Sequence, residues 1–217
     1  MWALLWKDVL LEWRTKERLS SLFVLAFLML LIFVFALSPE QTRRPDIGAA
    51  MLWITLVFAG MLSLQRGFLL EQERGCLSGV LLTPIDPSAV FLAKFLGNAL
   101  FLLMVEAFVT PITLLLLGIT WTPMLLLLPV VELLGIIGFS ALGTLFSAIA
   151  VRTRAREVLL PIMLLPLLIP LLIAAVQLTS ALLAGEAWPD VWLRVLLAFD
   201  VIFVVTGWFI FRHVVQE

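Results

Sequence analysis

The sequence has 217 residues, of which 63% are hydrophobic and 13% charged, and its mean hydropathy is +1.17. Soluble domains have about 45–50% apolar and about 25% charged residues, so the composition excludes an ordinary soluble domain. The net charge of -1 gives no basic field for binding nucleic acid. The only cysteine, Cys76, excludes an intrachain disulfide, and the only histidine, His213, cannot build a metal centre alone.

The N-terminal segment, residues 2–18, has the pattern of an amphipathic helix. Trp2, Trp6 and Trp13 recur at helical spacing, and the cationic residues fall largely on the opposite side. Tryptophan favours the depth of the lipid headgroups, so we predict a helix that lies flat in the membrane interface. The alternative is a cytoplasmic extension of the first span.

Six apolar runs follow, each long enough to cross a hydrocarbon core that requires about 20 residues. A seventh span is not expected, because residues 1–18 and 66–91 are interrupted by charges every few positions. The sequence therefore predicts an all-α integral membrane protein with one membrane domain, residues 1–217. The predicted spans are residues 20–37, 47–65, 92–117, 124–150, 158–183 and 194–211.

The distribution of cationic residues predicts the orientation of these spans. With the N-terminus in the cytoplasm, eleven of the 14 Lys and Arg residues lie on the cytoplasmic side. Only Arg43, Arg44 and Arg194 then lie on the outer side. The positive-inside rule thus predicts six spans with both termini in the cytoplasm.

The second cytoplasmic segment, residues 66–91, is predicted to contain a short amphipathic helix. Leu77, Val80 and Leu81 share one helical face, and Pro84 must end any helix near Thr83. Its apolar face would bury itself in the headgroup region or against a partner protein. The alternative is a turn that packs on its own membrane domain.

Two carboxyl side chains are predicted to lie inside the bilayer. Glu106 is near the middle of the third span and Glu132 is inside the fourth, and antiparallel neighbours would bring them to similar depth. One charge at mid-membrane costs about 3 kcal/mol, less than the several kcal/mol that about 19 apolar residues gain. Ionisable groups in spans usually have a specific role. A hydrogen bond between helices, contact with a partner subunit and a translocation path all remain open.

The fourth span also carries small side chains at helical spacing, which allow helix backbones to approach closely in lipid. They predict a packing face, either within the protomer or toward a second subunit. These residues are Ser140, Gly143, Thr144 and Ser147.

The fifth span contains Pro161, Pro166 and Pro170. Each proline removes a backbone donor, so we predict a kinked or partly broken helix. Such irregular backbone is tolerated in a membrane only where protein or water shields it.

Several motifs in and just after the second cytoplasmic segment, the loop of residues 66–91, resemble a known family of transporters. The stretches 71–77 and 81–84, followed by Ala93 and Lys94, are similar to the acidic, glycine, leucine, Thr-Pro and lysine pattern of type 2 permeases of ATP-binding-cassette exporters. In that family this loop is a coupling helix that binds a groove of the ATPase subunit. The resemblance implies that these residues contact the ATPase: Glu71, Glu73, Arg74, Gly75, Leu77, Leu81 and Pro84.

Motifs further along the chain narrow the resemblance. The stretches 94–98, 142–145, 152–157 and 165–170, in their order and spacing, resemble the cytochrome c maturation permease family, haem exporter protein B (CcmB). The likeness covers nearly the whole chain. The sequence departs from the family at 74–78, where many members have Asp-Gly and Leu-Glu instead of Arg-Gly and Leu-Ser.

The resemblance implies a non-catalytic subunit of a complex in the bacterial cytoplasmic (inner) membrane. Its partners would be a CcmA-like ATPase, a tryptophan-rich CcmC-like haem-handling subunit and a small single-span CcmD-like subunit, with a homodimer also open. No cofactor is expected on this chain: ATP would bind the ATPase, and haem is a potential cargo. The chain has no G-x-x-x-x-G-K-[ST] phosphate-binding loop. The alternatives are a type 2 exporter of a drug, lipid or glycan, and a scaffold that transports nothing itself.

Overall fold

The computed structural model describes residues 17–42, 44–73, 87–119, 121–150 and 156–216, and this part of the chain contains helices and short connections but no strand. A 3-10 turn at Pro123–Leu127 precedes the fifth helix. The helices are α1 Glu17–Ala36, α2 Pro39–Thr42, α3 Pro45–Glu73, α4 Pro87–Leu117, α5 Leu128–Ala150, α6 Arg156–Leu183 and α7 Asp190–Gln216.

Six of these segments are long and apolar enough to cross a membrane, which confirms the predicted all-α fold with six spans. Residues 2–16 of the predicted interfacial helix lie outside the described residues, and residues 17 and 18 belong to α1. The apolar segments are Leu19–Ala36, Pro45–Gln65, Ser88–Leu117, Pro123–Ala150, Leu159–Leu183 and Asp190–Phe211.

Helix α3 continues well past the end of its apolar segment. It has 29 residues and ends at Glu73, so residues 66–73, which the sequence analysis assigned to a loop, are helical. A helix of this length measures about 44 Å, whereas the hydrocarbon core is about 30 Å thick. Charged residues end the apolar segment at Gln65, but they do not prevent the helix from continuing beyond the bilayer.

Two glycines end helices by the same capping motif. Gly118 has φ 60° and Gly185 has φ 77°, a left-handed conformation that glycine adopts without steric cost. After α4, the amide of Ile119 donates to the carbonyl of Leu114 and the amide of Gly118 donates to that of Leu115. Equivalent bonds follow α6, so both helices end in a Schellman motif.

Helix α5 is the centre of the bundle and contacts α3, α4, α6 and α7, whereas α1 packs on α3 and α4. Glycines on α5 and α3 allow these two helices to pack closely against each other. A Cβ atom at Gly135 would overlap the indole of Trp53 on α3, and one at Gly60 of α3 would overlap the ring of Phe139 on α5. Small residues in lipid-embedded helices allow such close approach, so α3 and α5 interlock through complementary pairs.

Helix α6 is continuous from Arg156 to Leu183 despite its three internal prolines, so it is not broken, and the predicted kink stays a prediction. Each proline removes only one backbone bond, and the bonds on both sides of it remain. Pro166 and Pro170 lie on the exposed side of the helix, while Leu164 and Leu168 are fully buried on the inner side. Packing of that inner face supports a continuous helix.

Candidate functional site

Of the seven residues predicted to contact an ATPase, the structure describes two, both at the end of α3. Glu71 and Glu73 belong to the last turns of this helix. The other five residues of the predicted contact lie outside the described part of the chain: Arg74, Gly75, Leu77, Leu81 and Pro84. Their role in binding an ATPase stays a prediction.

The structure brings the two predicted intramembrane carboxyls to one hydroxyl group. Glu106 and Thr110 are four residues apart on α4, so their side chains share a face. Thr110 Oγ1 lies 2.5 Å from Glu132 Oε1 on α5 and 3.3 Å from Glu106 Oε2. The sequence placed both carboxyls at similar depth, and Thr110 is the group that links them.

The two carboxyls differ in their surroundings. Glu106 is only 3% exposed, and its Oε1 atom is buried without a hydrogen-bond partner. Glu132 is partly buried. Glu106 therefore lies inside the bundle, whereas Glu132 lies closer to its surface.

A narrow, tightly packed crevice adjoins this pair. Trp53 Nε1 donates to Thr179 Oγ1 across the crevice at 2.9 Å, which joins α3 to α6. The crevice does not admit a water-sized molecule, whereas ligand pockets usually have volumes of about 300–1,000 Å³, so it leaves no space for an organic molecule. Its lining residues are Leu52, Trp53, Leu56, Glu106, Glu132 and Thr179.

The crevice lies nearer to one end of the bundle. Thr110 is seven residues before the end of α4, Trp53 is eight residues after the start of α3, and Thr179 is four residues before the end of α6. At about 1.5 Å per residue, these side chains are about 6–12 Å from the same end. The predicted orientation would make this the outer end.

Asp200 of α7 is a further buried carboxyl, which the sequence prediction did not name as a site residue. It is 6% exposed, both of its carboxylate oxygens lack a hydrogen-bond partner, and it lies against Gly138 of α5. The signal that could have identified Asp200 is the one that identified Glu106, namely an acidic residue within an apolar run.

The four small residues of the predicted packing face are all buried in α5. Asn98 Nδ2 of α4 donates to Thr144 Oγ1 at 3.1 Å, and Gly143 lies against Leu64 of α3. This face therefore packs on α3 and α4 of the same chain. The other two members of the face are Ser140 and Ser147.

The six apolar helices and the polar groups buried between them define a multi-pass α-helical membrane protein. Within the described residues, no group of three or more His, Cys, Asp and Glu side chains is suited to hold a metal ion. The chain belongs to the CcmB protein family, whose sequence profile matches residues 1–217. The resemblance inferred from the motifs is thus confirmed.

Individual relatives agree with this assignment. The chain is 29% identical over 184 residues to the heme exporter protein B of Pseudomonas aeruginosa, with 84% of this chain and 81% of the relative covered. It is 32% identical over 156 residues to the protein of that name from Rhodobacter capsulatus, with 71% of each covered. The corresponding protein of Bradyrhizobium diazoefficiens is 29% identical over 192 residues, with 85% of this chain and 83% of the relative covered.

Proposed function

We propose that this chain is the membrane-spanning permease subunit of an ATP-binding-cassette complex that handles haem for cytochrome c maturation in the bacterial cytoplasmic membrane. The observation that carries the proposal is the match of the whole chain to the CcmB family. Relatives that cover most of the chain are named heme exporter protein B, which supports haem as the substrate class.

In this proposal a partner subunit hydrolyses ATP, and the present chain transmits the resulting movement. The sequence has no phosphate-binding loop of its own. The segment 66–91 would contact a CcmA-like ATPase, and the extension of α3 to Glu73 supplies a rigid connection from that segment into the membrane. CcmC-like and CcmD-like subunits would complete the complex.

The crevice favours one of two mechanisms within this function. Haem could pass through the bundle, or the complex could drive release of a haem chaperone without any passage. Haem carries two anionic propionates, and the lining of the narrow crevice offers them carboxyl groups but no basic side chain. These features favour chaperone release, in which α3 to α7 act as a mechanical unit.

Affinity purification of the chain from native membranes tests the proposal. Mass spectrometry should identify an ATPase and a tryptophan-rich subunit in the eluate, and an absorbance spectrum should show haem in the complex. A complex that contains an ATPase but neither haem nor a haem-handling subunit would favour a type 2 exporter with another cargo. Absence of any ATPase would refute the proposal.

The coupling segment gives a direct prediction. Charge reversal at Glu73 and Arg74, or Leu77→Asp, is expected to reduce co-purification of the ATPase at least tenfold, because a charge mismatch or a buried carboxylate weakens a docked helix. Membrane insertion should be unchanged, since these residues lie outside the spans that the sequence predicts. Undiminished recovery of the ATPase with all three changes would exclude this segment as the docking site.

The carboxyl pair gives a second prediction. We expect Glu106→Gln and Glu132→Gln each to leave the complex assembled and cytochrome c matured, because an amide preserves hydrogen bonding to Thr110. Co-purification of the partner subunits and haem staining of c-type cytochromes measure the two results. Loss of maturation with intact assembly would instead indicate a role that depends on the charge.

A further inference from the structure

Among the described residues, none with a basic side chain lies beside Glu106 and Glu132. Lys94 lies on α4 within its apolar segment, but it is 12 residues from Glu106, about 18 Å along the helix. Between its ends, α3 has no charged residue from Ile47 to Gln65, and the spans of α1 and α6 contain none. Helix α7 brings Asp200, another carboxyl, to the other side of α5, and its Arg194 is exposed. Two negative charges side by side in this environment would be uncompensated.

The hydrogen bonds of Thr110 restrict how the pair is protonated. A threonine hydroxyl has one hydrogen to donate and lone pairs that can accept. Thr110 is the donor of the short hydrogen bond to Glu132 Oε1, at 2.5 Å, a length within the range of charge-assisted O–H···O bonds. The hydroxyl then has no second hydrogen for Glu106 Oε2 at 3.3 Å, so a hydrogen bond at that contact requires Glu106 to be the donor.

The burial of Glu106 points to the same state independently. Glu106 is one of the residues that line the crevice, and its Oε1 atom is buried and receives no hydrogen bond. An ionised carboxylate in that position would leave a charged oxygen without a donor, whereas a neutral carboxyl group leaves only a carbonyl oxygen. Glu132 is partly exposed and has the strong donor, so it can retain the charge.

We propose that Glu106, Thr110 and Glu132 form a proton-binding site that holds a single proton on Glu106 while Glu132 remains ionised. Glu106 then donates a hydrogen bond to Thr110, and Thr110 donates one to Glu132. The site joins α4 to α5 with one net negative charge instead of two. This inference concerns the chain itself and is independent of the proposed function and of any cargo.

Infrared spectroscopy of the complete purified chain, or of its complex, tests the site without altering it. The other eight glutamates lie outside the six apolar segments, where water favours the ionised form at neutral pH. Incorporation of 13C-carboxyl glutamate shifts glutamate bands away from the bands of aspartate, including Asp200. We expect a protonated-carboxyl band at neutral pH that moves on glutamate labelling and on exchange into heavy water.

Two substitutions then assign the proton. The labelled band should disappear in Glu106→Gln and persist in Glu132→Gln, because a glutamine at 132 still offers a carbonyl oxygen to Thr110. Persistence of the band in Glu106→Gln would overturn the assignment. Absence of the band in the unaltered protein would show that both carboxyls are ionised and would overturn the proposal even if every variant failed to fold.

Discussion

Replacement of Gly135 by alanine is expected to lower the free energy of unfolding of the membrane domain by about 2–4 kcal/mol. A methyl group at this position would overlap the indole ring of Trp53. The ring cannot move aside freely, because its Nε1 atom donates to Thr179 Oγ1 at 2.9 Å. Overpacking costs about 1–3 kcal/mol, and loss of that hydrogen bond adds about 0.5–1.5 kcal/mol.

Thermal or denaturant unfolding of the detergent-purified chain measures this loss of stability. Gly97→Ala is the matched control, since a Cβ atom at Gly97 of α4 would have no neighbour within 4 Å. Alanine favours a helix over glycine by about 0.5–1 kcal/mol, so the control should be neutral or slightly stabilising. Equal destabilisation by the two substitutions would show that close packing at Gly135 is not what requires glycine.

The six spans could be predicted from the sequence because a bilayer leaves the backbone few alternatives. A lipid-exposed segment must satisfy its own amides and carbonyls, so a sufficiently long apolar run forms a helix. The hydropathy of the sequence shows where an apolar segment ends, but it does not show how far the helix continues into water. The predicted span therefore ends at residue 65, whereas α3 continues to Glu73. The three prolines of α6 predict a kinked or partly broken helix, whereas the helix is continuous, because a proline pattern does not reveal how the inner face packs.

The candidate site could be predicted only in outline. An acidic residue in an apolar run is conspicuous, and the antiparallel order of α4 and α5 brings Glu106 and Glu132 together. Thr110 is not conspicuous, because threonines occur in spans for many reasons and its role depends on the rotation of α4 about its axis. The bond from Trp53 to Thr179 joins residues 126 positions apart, and no local pattern encodes it.

The second large effect is expected at Thr110. Thr110→Val keeps the branched shape of the side chain but removes the hydroxyl that contacts both Glu106 Oε2 and Glu132 Oε1. A hydrogen bond to a charged group contributes about 1.5–3 kcal/mol, and a buried polar group left without a partner adds its desolvation cost. We therefore expect the free energy of unfolding to fall by at least about 2 kcal/mol, and Thr110→Ser to restore most of it.

Thr113→Val is the control, because Thr113 is fully buried on the same helix but donates only to the Val109 carbonyl of that helix at 2.9 Å. That carbonyl accepts a backbone bond as well, so loss of the Thr113 hydroxyl should cost less than about 1 kcal/mol. In a Glu106→Ala, Glu132→Ala background, Thr110→Val should likewise cost little, because no carboxyl remains to contact. A cost that persisted there would mean that Thr110 stabilises α4 by itself and does not join it to α5.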